Sequence, residues 1–278
     1  MQPTSSDERF ELLLAEGIAL DVEAYWGAGF LQRRYQPGAT SWSWSELARG
    51  DIGKANRMLD MGTGDGGVLR SLAPLPAFTV AYEEWLATLP AASTKLRSLG
   101  VHLVVCQGSD DNLSGVRTRP RLPFRDGTFD VVLNRHEAFD ASDVRRLLTP
   151  GGVFTTQQVG HREADSVREL LGLPPLVSPV RWDLSEAVRQ VESAGLSVTG
   201  FGEETPPTRF TDIAALIGYV RTTPWSFPDW DVESMRSRLR EVHGRCERAG
   251  PVNALTHRFW LTCHSPTRTR PHPRRGRE

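Results

Sequence analysis

At 278 residues, with 39% hydrophobic and 24% charged side chains, the chain is long enough to bury a full core as one large α/β domain or a domain with a modest appendage. A formal charge of −1 excludes a whole-molecule field that would steer it toward nucleic acid or an anionic membrane, and apolar runs of about five residues fall far short of a bilayer span. Cys106, Cys246 and Cys263 stand far apart without CxxC pairing, which argues against a zinc knuckle or disulfide framework and leaves a reducing cytoplasm as the expected compartment.

Residues 1–50 read as helical and Trp-rich. Phe10, Leu13, Leu14, Gly17 and Ile18 recur at helical spacing, and Gln36-Pro37-Gly38 breaks the pattern before Trp42, Trp44 and Leu47. The opening residues lack the basic-then-apolar layout of a secretory signal. From about residue 57 short apolar runs alternate with amphipathic stretches: strands are predicted over 57–61, 78–82, 101–106, 129–134 and 153–159, and helices over 66–73, 85–99 and 140–148. Such alternation with short connections predicts a doubly wound α/β fold with a parallel sheet and helices on both faces. Asp183 and Glu186 form a capping box for a helix ending at Gly195, and a strand follows over 196–202. A helical insert over 207–251, with helical patterns at 210–221 and 232–248, precedes a last strand over 258–264. The tail from 266 to 278 holds three prolines and five arginines and nothing apolar, so it is expected to be disordered.

Two constellations speak of a ligand. Leu59-Asp60-Met61-Gly62-Thr63-Gly64-Asp65-Gly66-Gly67 ends the first predicted strand of this alternation, where glycines permit positive φ and close approach of a ligand to the backbone. The helix behind it offers unpaired N–H groups. Gly62, Gly64 and Gly67 also spell GxGxxG, so this loop alone fits a dinucleotide. Glu83-Glu84-Trp85 follows the next strand, where a carboxylate can accept both hydroxyls of a ribose and Trp85 can lie against an adenine face.

Two later motifs separate the possibilities. Leu122-Pro123-Phe124-Arg125-Asp126-Gly127-Thr128-Phe129-Asp130-Val131-Val132-Leu133 leads into one strand, and Leu147-Leu148-Thr149-Pro150-Gly151-Gly152-Val153-Phe154 into the next. With the glycine loop, in this order and spacing, residues 55–160 resemble the class I S-adenosylmethionine-dependent methyltransferases of the ubiquinone-biosynthesis-like, type 11 group. The resemblance implies a seven-stranded Rossmann-like sheet and S-adenosyl-L-methionine as cofactor. It implies that Asp60, Gly62, Thr63 and Gly64 line its methionine end. Glu83 would hold the ribose, with Glu84 the alternative if the strand ends one residue later, and Trp85 would lie beside them. Ser109 and Asp110 would meet the adenine, and Asn134 and Arg135 would face the sulfonium. Many relatives place an Asp directly after the glycine where this chain has Ser109, so the adenine contact belongs to the stretch and not to one residue.

A sulfonium methyl needs mainly alignment with the acceptor's lone pair, and a general base only where the acceptor is a hydroxyl or protonated amine. His136, with Glu137 beside it, is the first candidate for catalysis, against a role in packing under the cofactor; His161 is the second. The strand tip reads Asn-Arg-His-Glu, with neither a (D/N)PPY-type motif nor a Pro-Cys nucleophile, and Asp140 and Asp143 look like helix caps and not metal ligands. A small or medium organic acceptor is therefore expected, in a pocket walled by Tyr25, Trp26, Trp42 and Trp44 and by Tyr219, Trp225, Phe227 and Trp230. An RNA or protein substrate stays open on the Arg-rich tail, and an NAD(P)-dependent oxidoreductase or a non-catalytic cofactor-binding protein on the glycine loop alone. No membrane partner is expected, and no oligomeric state is readable.

Overall fold

The computed structural model describes residues 5–21, 31, 34–112, 121–177 and 181–267. Tyr25, Trp26 and the tail beyond residue 267 lie outside them. In chain order the elements are α1 (Ser6–Ala19), β1 (Tyr35–Gln36), α2 (Trp44–Ile52), β2 (Arg57–Met61), α3 (Gly67–Ser71), β3 (Phe78–Glu83), α4 (Leu89–Leu96), β4 (His102–Val105), β5 (Phe129–Arg135), α5 (Ala141–Leu147), β6 (Leu148–Val159), α6 (Asp165–Leu170), α7 (Leu184–Ser193), β7 (Ser197–Glu204), β8 (Pro207–Phe210), α8 (Ile213–Thr222), α9 (Val232–Ala249), β9 (Val252–Leu255) and β10 (Arg258–His264).

Seven strands form one sheet in the order β4-β3-β2-β5-β6-β10-β7. The first five are parallel to one another, as the alternation predicts. β10 is antiparallel to both β6 and β7, so the seven-stranded sheet is parallel over five strands and mixed at its far edge. Four of the five residues of β2 are buried, which is why its sequence does not alternate between apolar and polar. From β2 the chain winds outward through β3 and β4, then crosses back to β5 on the other side of β2. The strand order reverses there, and the loops after β2 and β5 part to leave a crevice at the carboxyl ends of the strands.

One boundary differs from the sequence reading for a clear reason. The helix expected from residue 85 begins at Leu89, because Pro90 fits only a first helical turn. The intervening Trp85 N–H is taken instead by the Glu83 carboxylate at 2.8 Å.

A second sheet, β1-β8-β9, was not expected. Its strands are two to four residues long, too short to carry an alternation signal. Tyr35 pairs with Phe210, which pairs in turn with Val252, so the ends of the helical insert close on the N-terminal segment. Around it lies a separate apolar core that includes Phe10, Leu14, Phe210, Leu216, Ile217 and Phe227. Residues 213–220 of α8 are all buried, and α1 crosses it at Gly17, where a Cβ would come within 2.9 Å of Ile217 Cβ. Arg168 is buried beside this core, donating to the carbonyls of Pro174 and Ser226 and to Asp229. Among the described residues no helix is long and apolar enough to cross a membrane.

Candidate active site

The turn after β2 is built by glycines in the left-handed region, with φ of 63° at Gly62, 59° at Gly64 and 75° at Gly66. At Gly62 the need is steric as well, since a Cβ would lie 2.8 Å from the Cβ of Glu137. At Gly64 a Cβ would meet nothing within 4 Å, so the backbone there borders open space. The Thr63 N–H donates to the Tyr82 carbonyl at 3.0 Å and anchors the turn to β3.

Glu83 is the last residue of β3, and its carboxylate accepts the Gly64 N–H at 2.6 Å and the Trp85 N–H at 2.8 Å. It is 6% exposed, so the strand tip and glycine turn are tied together by charge-assisted bonds to backbone. Glu84 reaches the other way, accepting the Gly108 N–H at 3.1 Å in the turn after β4. Glu83, Glu84, Trp85, Gln107 and Glu137 line a cleft of about 320 Å³, near the lower end of the range for small-molecule sites. Trp85 is 42% exposed on its rim. Ser109 is half-buried and Asp110 exposed just past Gly108. Gln107 is a lining residue that the motifs did not single out. The Tyr82 hydroxyl is buried without a hydrogen-bond partner, facing the same side of Gly108 as the Glu137 carboxylate.

Asp60 lies beneath the turn, and burial raises its carboxyl to about 7, with the charge of Glu83 adding to the effect. Thr63, whose hydroxyl is buried without a partner in bonding geometry, and the Arg135 guanidinium only partly offset this.

At the tip of β5 one expectation is corrected. Asn134 and Arg135 cannot both face the crevice, because successive strand residues point to opposite faces. Asn134 is fully buried, its Oδ1 accepting from Thr156 Oγ1 at 2.9 Å and from Gln158 Nε2 at 2.6 Å. The Arg135 side chain forms no hydrogen bond or ion pair among the described residues, and its Nε is buried without a partner. Burial, the nearby Arg258 and, in the opposite sense, Asp60 leave its pKa below the usual arginine value.

His136 is the sole non-glycine residue with positive φ among the described residues, at 63°. Its N–H donates to the Gln157 carbonyl at 2.8 Å, extending the β5–β6 pairing around the strained bend. The residue is exposed. The surrounding protein desolvates it, and Arg135 and Arg258 add repulsion, which together hold its pKa well below 6.5. Glu137 turns its side chain over Gly62 and Gly108, so it borders the cleft. His161 has both ring nitrogens engaged, one with the Trp182 carbonyl at 3.0 Å and one with Arg181 at 3.4 Å.

Around the ends of β5, β6 and β10 the side chains are polar and aromatic. Trp42 donates from Nε1 to Gln157 Oε1 at 3.0 Å, and Gln157 Nε2 lies 3.1 Å from His136 Nε2. Glu163 pairs in a bidentate manner with Arg258, with Nη2 to Oε1 at 2.8 Å, and Tyr219 and Tyr35 stack beside it with ring centroids 5.6 Å apart. Of the expected pocket aromatics, Phe227 belongs to the second core at 2% exposure and Trp225 faces outward at 66%. Neither borders the strand tips.

Residues 59–156 match the model of a family described as methyltransferase domain. This stretch is similar to a methyltransferase domain. The fold agrees: the chain is similar to a candidate methyltransferase from Bacillus halodurans, at 16% identity and a TM-score of 0.54 over 80% of this chain and 97% of that one. It is similar also to the YcgJ protein from Bacillus subtilis, at 15% identity and a TM-score of 0.54 over 81% and 98%. No curated protein matches it. The matched stretch runs from the end of β2 into β6, and so spans Asp60, the residues of the cleft and His136 but stops just short of Gln157.

Proposed function

We propose that the chain transfers a methyl group from S-adenosyl-L-methionine to a small or medium organic acceptor by direct in-line displacement. The observation that carries this reading is the cleft where the Glu83 carboxylate fixes the glycine turn and leaves open space over Gly64. The residues present suit such a cofactor. Two carboxylates at the tip of β3 can accept ribose hydroxyls, Trp85 offers a face for a base, and the orphaned Tyr82 hydroxyl and the acidic Asp60 supply partners for polar groups. When bound, the cofactor supplies an electrophilic methyl on a sulfonium.

What the chain then contributes is position. Asp60, Gly62, Thr63 and Gly64 hold the amino-acid end, Glu83 or Glu84 the sugar, and the turn at Ser109 and Asp110 the base. Arg135 and His136, at the tip of β5, stand where an acceptor would approach. Alignment of this kind is worth on the order of 7–11 kcal/mol of a barrier. In this reading the N-terminal segment and the insert, joined through β1 and β8, form a cap that makes the acceptor wall. The direct test is to incubate the protein with methyl-labelled S-adenosylmethionine and, separately, a metabolite extract and total RNA. Label is expected in a small organic product; label only in RNA or protein would replace the acceptor class while leaving the cofactor reading intact.

A further inference from the structure

We infer that His136 serves this site as a hydrogen-bond donor through Nδ1–H, fixed by Trp42 and Gln157, and that together with Arg135 it receives an anionic oxygen of the acceptor, so that it is not the general base. The inference rests on the methyl-transfer reading for the identity of the acceptor, but its first half stands on hydrogen-bond bookkeeping alone. An indole nitrogen can only donate. The Trp42 Nε1–H at 3.0 Å therefore fixes which end of the Gln157 amide is oxygen. The other end, an NH2 that can only donate, then faces His136 Nε2 at 3.1 Å. Nε2 must accept, which leaves the ring's proton on Nδ1. Protonating Nε2 would set N–H against N–H, so the same contact opposes the cationic ring.

Nothing else bonds the His136 ring among the described residues, and the residue is exposed. The residue is held there at the cost of a left-handed backbone, about 1–3 kcal/mol for a side chain other than glycine. Gln157 is itself only 7% exposed, and its partner on β10 is Trp260, so the amide has little freedom to turn over. Beside this donor stands a guanidinium with a buried, unpaired Nε. Buried arginines ordinarily meet carboxylate or phosphate. A guanidinium has no attraction for a sulfonium, so the group it awaits is negative. Arg258, the next cation, is already satisfied by Glu163. The two donors stand on neighbouring residues at the end of β5, and an acceptor carrying a carboxylate or a deprotonated oxygen can meet both. Such an acceptor needs no base for a proton it has already lost.

Two measurements test this on the full-length protein. With 15N-labelled histidine, assigned by the signal missing in His136→Asn, NMR is expected to show Nε2 unprotonated and Nδ1 protonated from pH 6 to 8. Gln157→Glu, whose carboxylate accepts from both neighbours, is expected to move the proton to Nε2. A wild-type ring protonated at Nε2, or a tautomer indifferent to Gln157→Glu, overturns the donor assignment whether or not the chain is a methyltransferase. The second measurement titrates benzoate, as anionic probe, and benzamide into protein loaded with S-adenosylhomocysteine. Benzoate is expected to bind at least tenfold more tightly than benzamide, and Arg135→Gln to abolish that preference while changing S-adenosylhomocysteine affinity less than threefold. Equal binding of the two probes overturns the anionic acceptor. A tenfold loss of S-adenosylhomocysteine affinity in Arg135→Gln overturns it too, by assigning the guanidinium to the cofactor's own carboxylate.

Discussion

The two walls of the crevice are built on opposite plans. On the β2–β3–β4 side, the lining is made from backbone: three left-handed glycines, amides held by Glu83 and Glu84, and a helix behind the turn. On the β6–β10 side it is made from side chains gathered from distant parts of the chain, Trp42 to Gln157 to His136, and Glu163 to Arg258. A backbone wall must be contiguous in sequence and suits a ligand that never changes. A side-chain wall can be rewritten one residue at a time, which is what acceptor specificity requires.

Four substitutions sharpen or break that contrast. Asp60→Asn carries the largest effect, and on stability. The folded Asp60 keeps its proton up to about pH 7, whereas an unfolded aspartate releases it near 4, so the native state binds more protons between these values. Wild-type stability should therefore fall as pH rises through that window and level off above it. The variant lacks the penalty: urea denaturation should find it equal to wild type near pH 4 and more stable by up to about 4 kcal/mol at pH 8. A difference independent of pH would remove the perturbed carboxyl from the account. Gly62→Val comes next. Positive φ costs about 1–2 kcal/mol of stability and the overlap with Glu137 about 1–3 more, so the turn is expected to shift and S-adenosylhomocysteine affinity to fall at least about tenfold, with the circular dichroism of the fold retained. Tight binding by this variant would move the cofactor away from the turn. The smallest effect separates the two acids. Glu83→Gln loses charge-assisted bonds worth about 1.5–3 kcal/mol, or at least tenfold in affinity, and exposed Glu84→Gln should cost less than threefold. The reverse ranking would make Glu84 the ribose ligand.

The same contrast explains what could be read in advance. The turn at Gly62 and Gly64, Glu83 and Trp85 were legible because each is part of one short stretch whose local geometry dictates its residues. Asn134 was misplaced because a motif names a strand tip without saying which face each residue takes; the two-residue alternation of β5 sends it into a network with Thr156 and Gln158. Gln157 could not be found, since its role exists only when Trp42, 115 positions away in sequence, closes over it. Trp225 and Phe227 look alike in sequence, and only the packing of the second core, which depends on the unforeseen pairing of β1 with β8, tells the exposed ring from the buried one.

The central claim is that the glycine turn and the acid at the tip of β3 hold a sulfonium donor, and calorimetric titration of the purified chain with S-adenosylhomocysteine tests it most directly. One site per chain with micromolar or tighter affinity, lost in Gly62→Val and absent for NAD, is the result expected. No heat with S-adenosylhomocysteine or S-adenosylmethionine, from protein whose fold is intact, would contradict it.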